Sequence, residues 1–125
     1  MPVIRVQALR IAGVDVGELL RATSKAVSVA FSLEPEQCWS CFTEVRAGEM
    51  FEGGEFRGSP ETARHSPLVT IAAYEGRSQV EIASALNGVA DAVVSHFGFE
   101  AGDVFVEYRE LRKGTVHTGG EVRYI

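Results

Sequence analysis

The segment Glu44-Val45-Arg46-Ala47-Gly48, followed by Gly53-Gly54-Glu55-Phe56-Arg57, returns later in the chain as Glu110-Leu111-Arg112-Lys113-Gly114 and Gly119-Gly120-Glu121-Val122-Arg123. Both pieces recur at a spacing of 66 residues, and the pairs Leu20/Leu86 and Phe31/Phe97 keep it. Pro2-Val3-Ile4 and Pro67-Leu68-Val69 match at one residue less, a difference that a loop absorbs. The chain is one unit written twice, and such a repeat constrains the fold more than any single motif does.

Each copy reads as strand, helix, strand. Val3 to Leu9 is rich in β-formers, as are Cys38 to Val45, Leu68 to Tyr74 and Val104 to Leu111. Asp15 with Glu18, and Ser78 with Glu81, have the spacing of helix N-caps. Val16, Leu19, Leu20, Thr23, Ala26, Val27 and Ala30 make one apolar stripe, and Ile82, Leu86, Val89, Ala90, Val93 and Phe97 make the other. Gly98 stands where a C-cap glycine belongs. A strand–helix–strand crossover implies parallel strands and a right-handed connection. The expected fold is therefore α+β: a tandem β-α-β repeat joined about a pseudo-twofold axis into a four-stranded mixed sheet, with both helices on one face. We expect a single domain over 1–125, with a first unit at 1–57, a linker at 58–66 around Pro60, and a second unit at 67–125. The Gly-Gly-Glu segments predict tight turns or short ribbons. The uncovered face still carries apolar side chains, which predicts an oligomer.

Composition excludes several function classes. The 125 residues are 46% hydrophobic and carry a formal net charge of −5 with no Lys/Arg run. A nucleic-acid partner would need a basic stripe. No apolar run is long enough to span a bilayer, so no membrane role is expected. The opening MPVIRVQALR lacks the layout of a secretory signal, which makes the cytoplasm the expected compartment. Cys38 and Cys41 form a CxxC, but on a strand residues three apart face opposite ways, and no second ligand pair completes a zinc tetrad. We read both as structural thiols. No metal or other cofactor is expected.

The second half resembles 4-oxalocrotonate tautomerase. The residues that carry the resemblance are Tyr74-Glu75-Gly76-Arg77-Ser78, Arg109-Glu110-Leu111-Arg112-Lys113-Gly114 and Thr118-Gly119-Gly120-Glu121, with Pro67 ten residues before Arg77 where that family has its amino-terminal proline. The whole chain thus resembles a fused pair of tautomerase units, in which the first half keeps the terminal proline at Pro2. The resemblance implies the tautomerase fold, a homotrimer, and enol–keto isomerisation with Pro2 as catalytic residue and Arg77 as the binder of a small anionic substrate.

The chemistry agrees with that implication. Removal of Met1 would leave Pro2 with a secondary amine. An α-amino group titrates near 8, and burial or a neighbouring cation lowers it. The neutral amine can take a proton from a hydroxyl or carbon and return it elsewhere. The Arg77 guanidinium suits a carboxylate in bidentate fashion. A 2-hydroxy-dienoate or an aryl enolpyruvate fits one arginine and an aromatic wall. The single-unit family has a second arginine at the start of its last strand, and Trp39 and Phe105 stand in those places. Arg10 is a candidate substitute, two residues before Ala12, which matches Arg77 in the first half. His117 is a candidate for reaching the substrate. His65 is expected to be a solvated loop residue, and His96 to favour a helix C-terminus.

Two other readings stay open. Phe42-Thr43-Glu44 through Gly53-Gly54 is similar to cis-3-chloroacrylic acid dehalogenase, although Tyr74 stands where that chemistry has its second arginine and Phe31 where it has a histidine. A hydratase, dehalogenase or decarboxylase of small three-carbon acids is therefore an alternative. A non-catalytic trimeric interaction protein is the other, and it gains if Met1 stays in place.

Overall fold

A computed structural model describes residues 1–58 and 64–124. The expected linker falls partly on residues 59–63, outside the described residues. The order is β1 (Val3–Leu9), α1 (Val16–Phe31), a single 3-10 turn (Pro35–Gln37), β2 (Trp39–Val45), β3 (Met50–Glu52), β4 (Glu55–Arg57), β5 (Leu68–Tyr74), α2 (Gln79–Phe97), β6 (Phe105–Leu111), β7 (Val116–Thr118) and β8 (Glu121–Arg123).

The main sheet runs β2-β1-β5-β6. β1 is parallel to β2 and β5 is parallel to β6, while the central pair β1/β5 is antiparallel. That is the mixed four-stranded sheet the repeat predicts. Alternation divides the strands between two faces. Ile4, Val6 and Ala8 of β1 and Val69, Ile71 and Ala73 of β5 pack under the helices. Arg5, Gln7, Trp39, Cys41, Thr43, Leu68, Phe105 and Arg109 lie exposed on the other face.

Both helices begin as their caps dictate. The Asp15 side chain accepts from Glu18 N–H, and Ser78 and Glu81 form a reciprocal capping box. α2 ends on Gly98 at φ 73°. The deepest line on α1 is Leu19, Thr23, Val27 and Phe31, narrower than the expected stripe. Ala26 and Ala30 are half-buried because their side of α1 meets α2. A Cβ on Gly88 would come within 3.2 Å of the Ala26 Cβ, so glycine there permits the close crossing.

The Gly-Gly segments form two-residue turns in the ribbons β3/β4 and β7/β8. Gly53 and Gly54 have φ of 60° and 86°, and Gly119 and Gly120 have 64° and 89°. Positive φ at both central residues is the hairpin geometry that glycine adopts without strain.

Two local expectations are corrected. β2 starts at Trp39, because Cys38 closes the preceding 3-10 turn with its N–H on the Pro35 carbonyl. His65 is not solvated: it is 1% exposed, edge-on to the rings of Phe97 and Phe99. Its Nε2 accepts the Leu9 N–H at 3.0 Å. The β1/β5 pairing ends at Gln7 and Leu68, so the Leu9 amide lies beyond that ladder and needs an acceptor.

Candidate active site around Pro2 and Arg77

Pro2 precedes β1 at the pole of the sheet where β5 ends. The antiparallel register Val3↔Ala72 carries Ala73 and Tyr74 past it. The chain then turns through Glu75 and Gly76 to Arg77 and enters α2. A cavity of about 340 Å³ opens there, lined by Met1, Pro2, Ala73 to Arg77 and Glu81. The Pro2 side chain is fully buried. Arg77 is the only cationic side chain among the lining residues, which also include Glu75 and Glu81.

Arg77 is held from three directions. Its Nη1 donates to the Phe31 carbonyl at 3.0 Å and to Glu81 Oε2 at 3.4 Å, and its Cζ lies 4.4 Å over the Phe31 ring. Phe31 ends α1, so one helix supplies the support and the loop before the other supplies the cation. Glu81 Oε1 also takes the Ser78 N–H and hydroxyl, which hold its carboxyl below the usual range, and Arg77 adds to that lowering. The remaining guanidinium nitrogens of Arg77 have no protein partner among the described residues, which leaves donors for an anion.

Burial holds the Met1 amine below its ordinary value; the Cys38 thiolate form opposes this, and the charge of Arg77 adds to the lowering. Burial pushes the Cys38 thiol up, partly offset by the amine terminus and Arg77. A terminal amine and a fixed cation thus share one partly desolvated pocket, a setting that disfavours the protonated form of the amine.

The other candidates fall elsewhere. Trp39 is adjacent through its backbone, with its N–H on the Pro2 carbonyl at 3.0 Å. Its 51%-exposed indole pairs with Val3 on the open face, so alternation sends it away from the Pro2 ring. Phe105 stands at the opposite pole, with its N–H on the Pro67 carbonyl. Arg10 is also at that pole, ion-paired with Glu44 and 5.3 Å over the Phe42 ring, in a second cavity of about 930 Å³. No amine is among the described residues that line that larger cavity. His117 is exposed on β7 and does not line the Pro2 pocket. Within one chain the structure brings together Pro2 and Arg77 from the expected set, and not Arg10, Phe105 or His117. Among the described residues no group of three or more His, Cys, Asp or Glu could hold a metal ion.

Phe31, Glu81 and Cys38 join the site without any catalytic signal in the sequence. Glu81 was visible only as a cap. Cys38 follows from the parallel register, because Val3↔Trp39 sets it beside Pro2.

No protein-family profile and no curated protein matches this sequence. Solved structures do match in fold. Pt0534 inactivated by 2-oxo-3-pentynoate superposes with a TM-score of 0.86 at 15% identity, covering 98% of this chain and 95% of that one. A fused 4-OT wild-type asymmetric trimer gives 0.85 at 14%, covering 96% and 94%. A member of the cis-3-chloroacrylic acid dehalogenase family gives 0.76 at 18%, covering 97% and 82%. These are tautomerase-superfamily structures, and the chain has their fold.

Proposed function

We propose that this protein is an enol–keto tautomerase of small monoanionic carboxylates, with the Pro2 amine as general base and acid. The observation that carries the reading is the presence of Pro2 and Arg77 in one cavity of about 340 Å³. With Met1 removed, the Pro2 nitrogen becomes a secondary amine. Arg77 takes the substrate carboxylate through its guanidinium. The neutral amine removes the enol hydroxyl proton and delivers a proton to carbon, so that the O–H bond breaks, a C–H bond forms and the double bond moves to oxygen. Arg77 also stabilises negative charge as it develops, in a site that excludes bulk water from the Pro2 ring.

The substrate class is a 2-hydroxy-dienoate or an aryl enolpyruvate. Glu75 and Glu81 disfavour a second carboxylate near Arg77, which favours one anionic end and an apolar remainder. The assembly is a homotrimer, with Trp39, Leu68 and Phe105 of the open sheet face buried between subunits. The fold likeness to fused 4-OT trimers supports this, and Phe105 could then reach a Pro2 pocket from a neighbouring copy. The deciding experiment compares the processed protein with a variant whose amino terminus is blocked, on phenylenolpyruvate. Equal turnover by the two, with both folded, rejects the proposal.

A further inference from the structure

Tyr108 carries a hydroxyl that the fold does not use. Its Oη is buried and has no hydrogen-bond partner among the described residues, an arrangement that weakens a folded state and calls for an explanation. The ring stands edge-on to Phe31, with centroids 6.1 Å apart and planes at 88°. A phenylalanine would make that contact equally well. The same Phe31 ring carries the Arg77 guanidinium, and the Phe31 carbonyl accepts from it. Tyr108, Phe31 and Arg77 form one contiguous group beside the Pro2 pocket.

The repeat supplies an internal control. The residue matching Tyr108 in the first half is Phe42. It pairs with Val6 as Tyr108 pairs with Ile71, and both rings pack on the core. At the pole of Phe42 the position of Arg77 is taken by Ala12, and Pro67 is an internal residue. The hydroxyl therefore occurs only in the half where the arginine and the amino-terminal proline meet. The charged groups that act on it are Glu110 from its own strand, Arg77 from the loop before α2, and Glu81 from α2.

We propose that Tyr108 is a positioning residue for Arg77: its hydroxyl gains a partner when an anionic ligand draws the guanidinium away, by donating to the acceptor that Arg77 gives up. That acceptor is the Phe31 carbonyl or Glu81 Oε2, the two groups that Arg77 Nη1 engages without ligand. The inference rests on the carboxylate clamp proposed above.

The signature has opposite signs in the free and bound protein, which a purely structural tyrosine would not show. Tyr108→Phe is expected to leave the unfolding midpoint of the ligand-free protein unchanged or raised. It is expected to weaken benzoate binding about threefold to tenfold, the range of one hydrogen bond. With phenylenolpyruvate, KM rises by more than kcat falls. Arg77→Ala is measured alongside. If Arg77→Ala weakens benzoate binding and Tyr108→Phe does not, the role of Tyr108 is overturned while the clamp stands. A fall in the midpoint of Tyr108→Phe overturns it too, because the hydroxyl then has a partner without ligand. If Arg77→Ala leaves benzoate binding unchanged, or the parent protein binds neither carboxylate at millimolar concentration, the clamp itself is wrong and this inference goes with it.

Discussion

Arg77 Nη1 donates to the Phe31 carbonyl at 3.0 Å while the guanidinium lies 4.4 Å over the ring of the same residue. The last residue of α1 therefore holds the cation of the candidate site from two directions. Joining the halves in this way leaves the Arg77 side chain 28% exposed at the pocket and restricts the directions in which it can meet an anion.

Arg77→Ala is expected to lower kcat/KM about 10- to 100-fold, since a hydrogen bond to a charged group is worth roughly 1.5–3 kcal/mol. The far-ultraviolet circular dichroism should stay that of the parent. Arg77→Lys keeps the charge but loses the planar fork, and should fall between the two. Steady-state kinetics on phenylenolpyruvate check both; parent-like kinetics in Arg77→Ala would remove the residue from the site.

The pH profile should carry the sign of a base. The surroundings that hold the Met1 amine low, burial first and Arg77 also, with Cys38 opposing, become those of Pro2 after processing. The active form is the neutral amine, so kcat/KM is lost as pH falls through its pKa and rises to a plateau above it. That limb should lie below about 8, the value of a solvated terminal amine. In Arg77→Ala it should move to higher pH, because a cation that disfavoured protonation is gone. A limb that stays in place in that variant would show that Arg77 does not act on the base.

His65→Ala should destabilise the fold without touching the proposed chemistry. The substitution empties a buried site between Phe97 and Phe99 and leaves the Leu9 N–H without its acceptor. The expected loss is about 2–4 kcal/mol, read from urea unfolding. Activity per folded molecule should be retained, since His65 is bonded to the end of β1 remote from Pro2.

The open sheet face should be an intersubunit surface. Trp39 and Phe105 are 51% and 57% exposed in the single chain, and Leu68 is 42% exposed between them in the sheet. Sedimentation equilibrium should give a trimer for the parent and a smaller species for Trp39→Glu. A parent that sediments as a monomer at micromolar concentration would be evidence against the proposed assembly.

The 66-residue repeat, the caps at Asp15 and Ser78 and the paired glycines at 53–54 and 119–120 were sufficient, in the sequence, to set the order and type of the elements and the mixed sheet. These are local signals: a cap or a two-glycine turn acts within a few residues, and the repeat requires both halves to solve the same packing problem. They also placed Pro2 and Arg77 on the chain. Only the tertiary structure decided what surrounds them. The central strands run antiparallel, so β1 begins where β5 ends, and this brings Pro2 to the loop that carries Arg77 while sending Phe105 and Arg10 to the far pole. The end of α1 then reaches Arg77 through Phe31, and β6 supplies Tyr108, from positions 46 and 31 residues away in sequence. The burial of His65 has the same origin: its partners Leu9, Phe97 and Phe99 come from both halves. Strand alternation and helix periodicity state which face a residue occupies, but which faces meet depends on how the sheet pairs and how the helices cross it, and those contacts exist only once the chain has closed on itself.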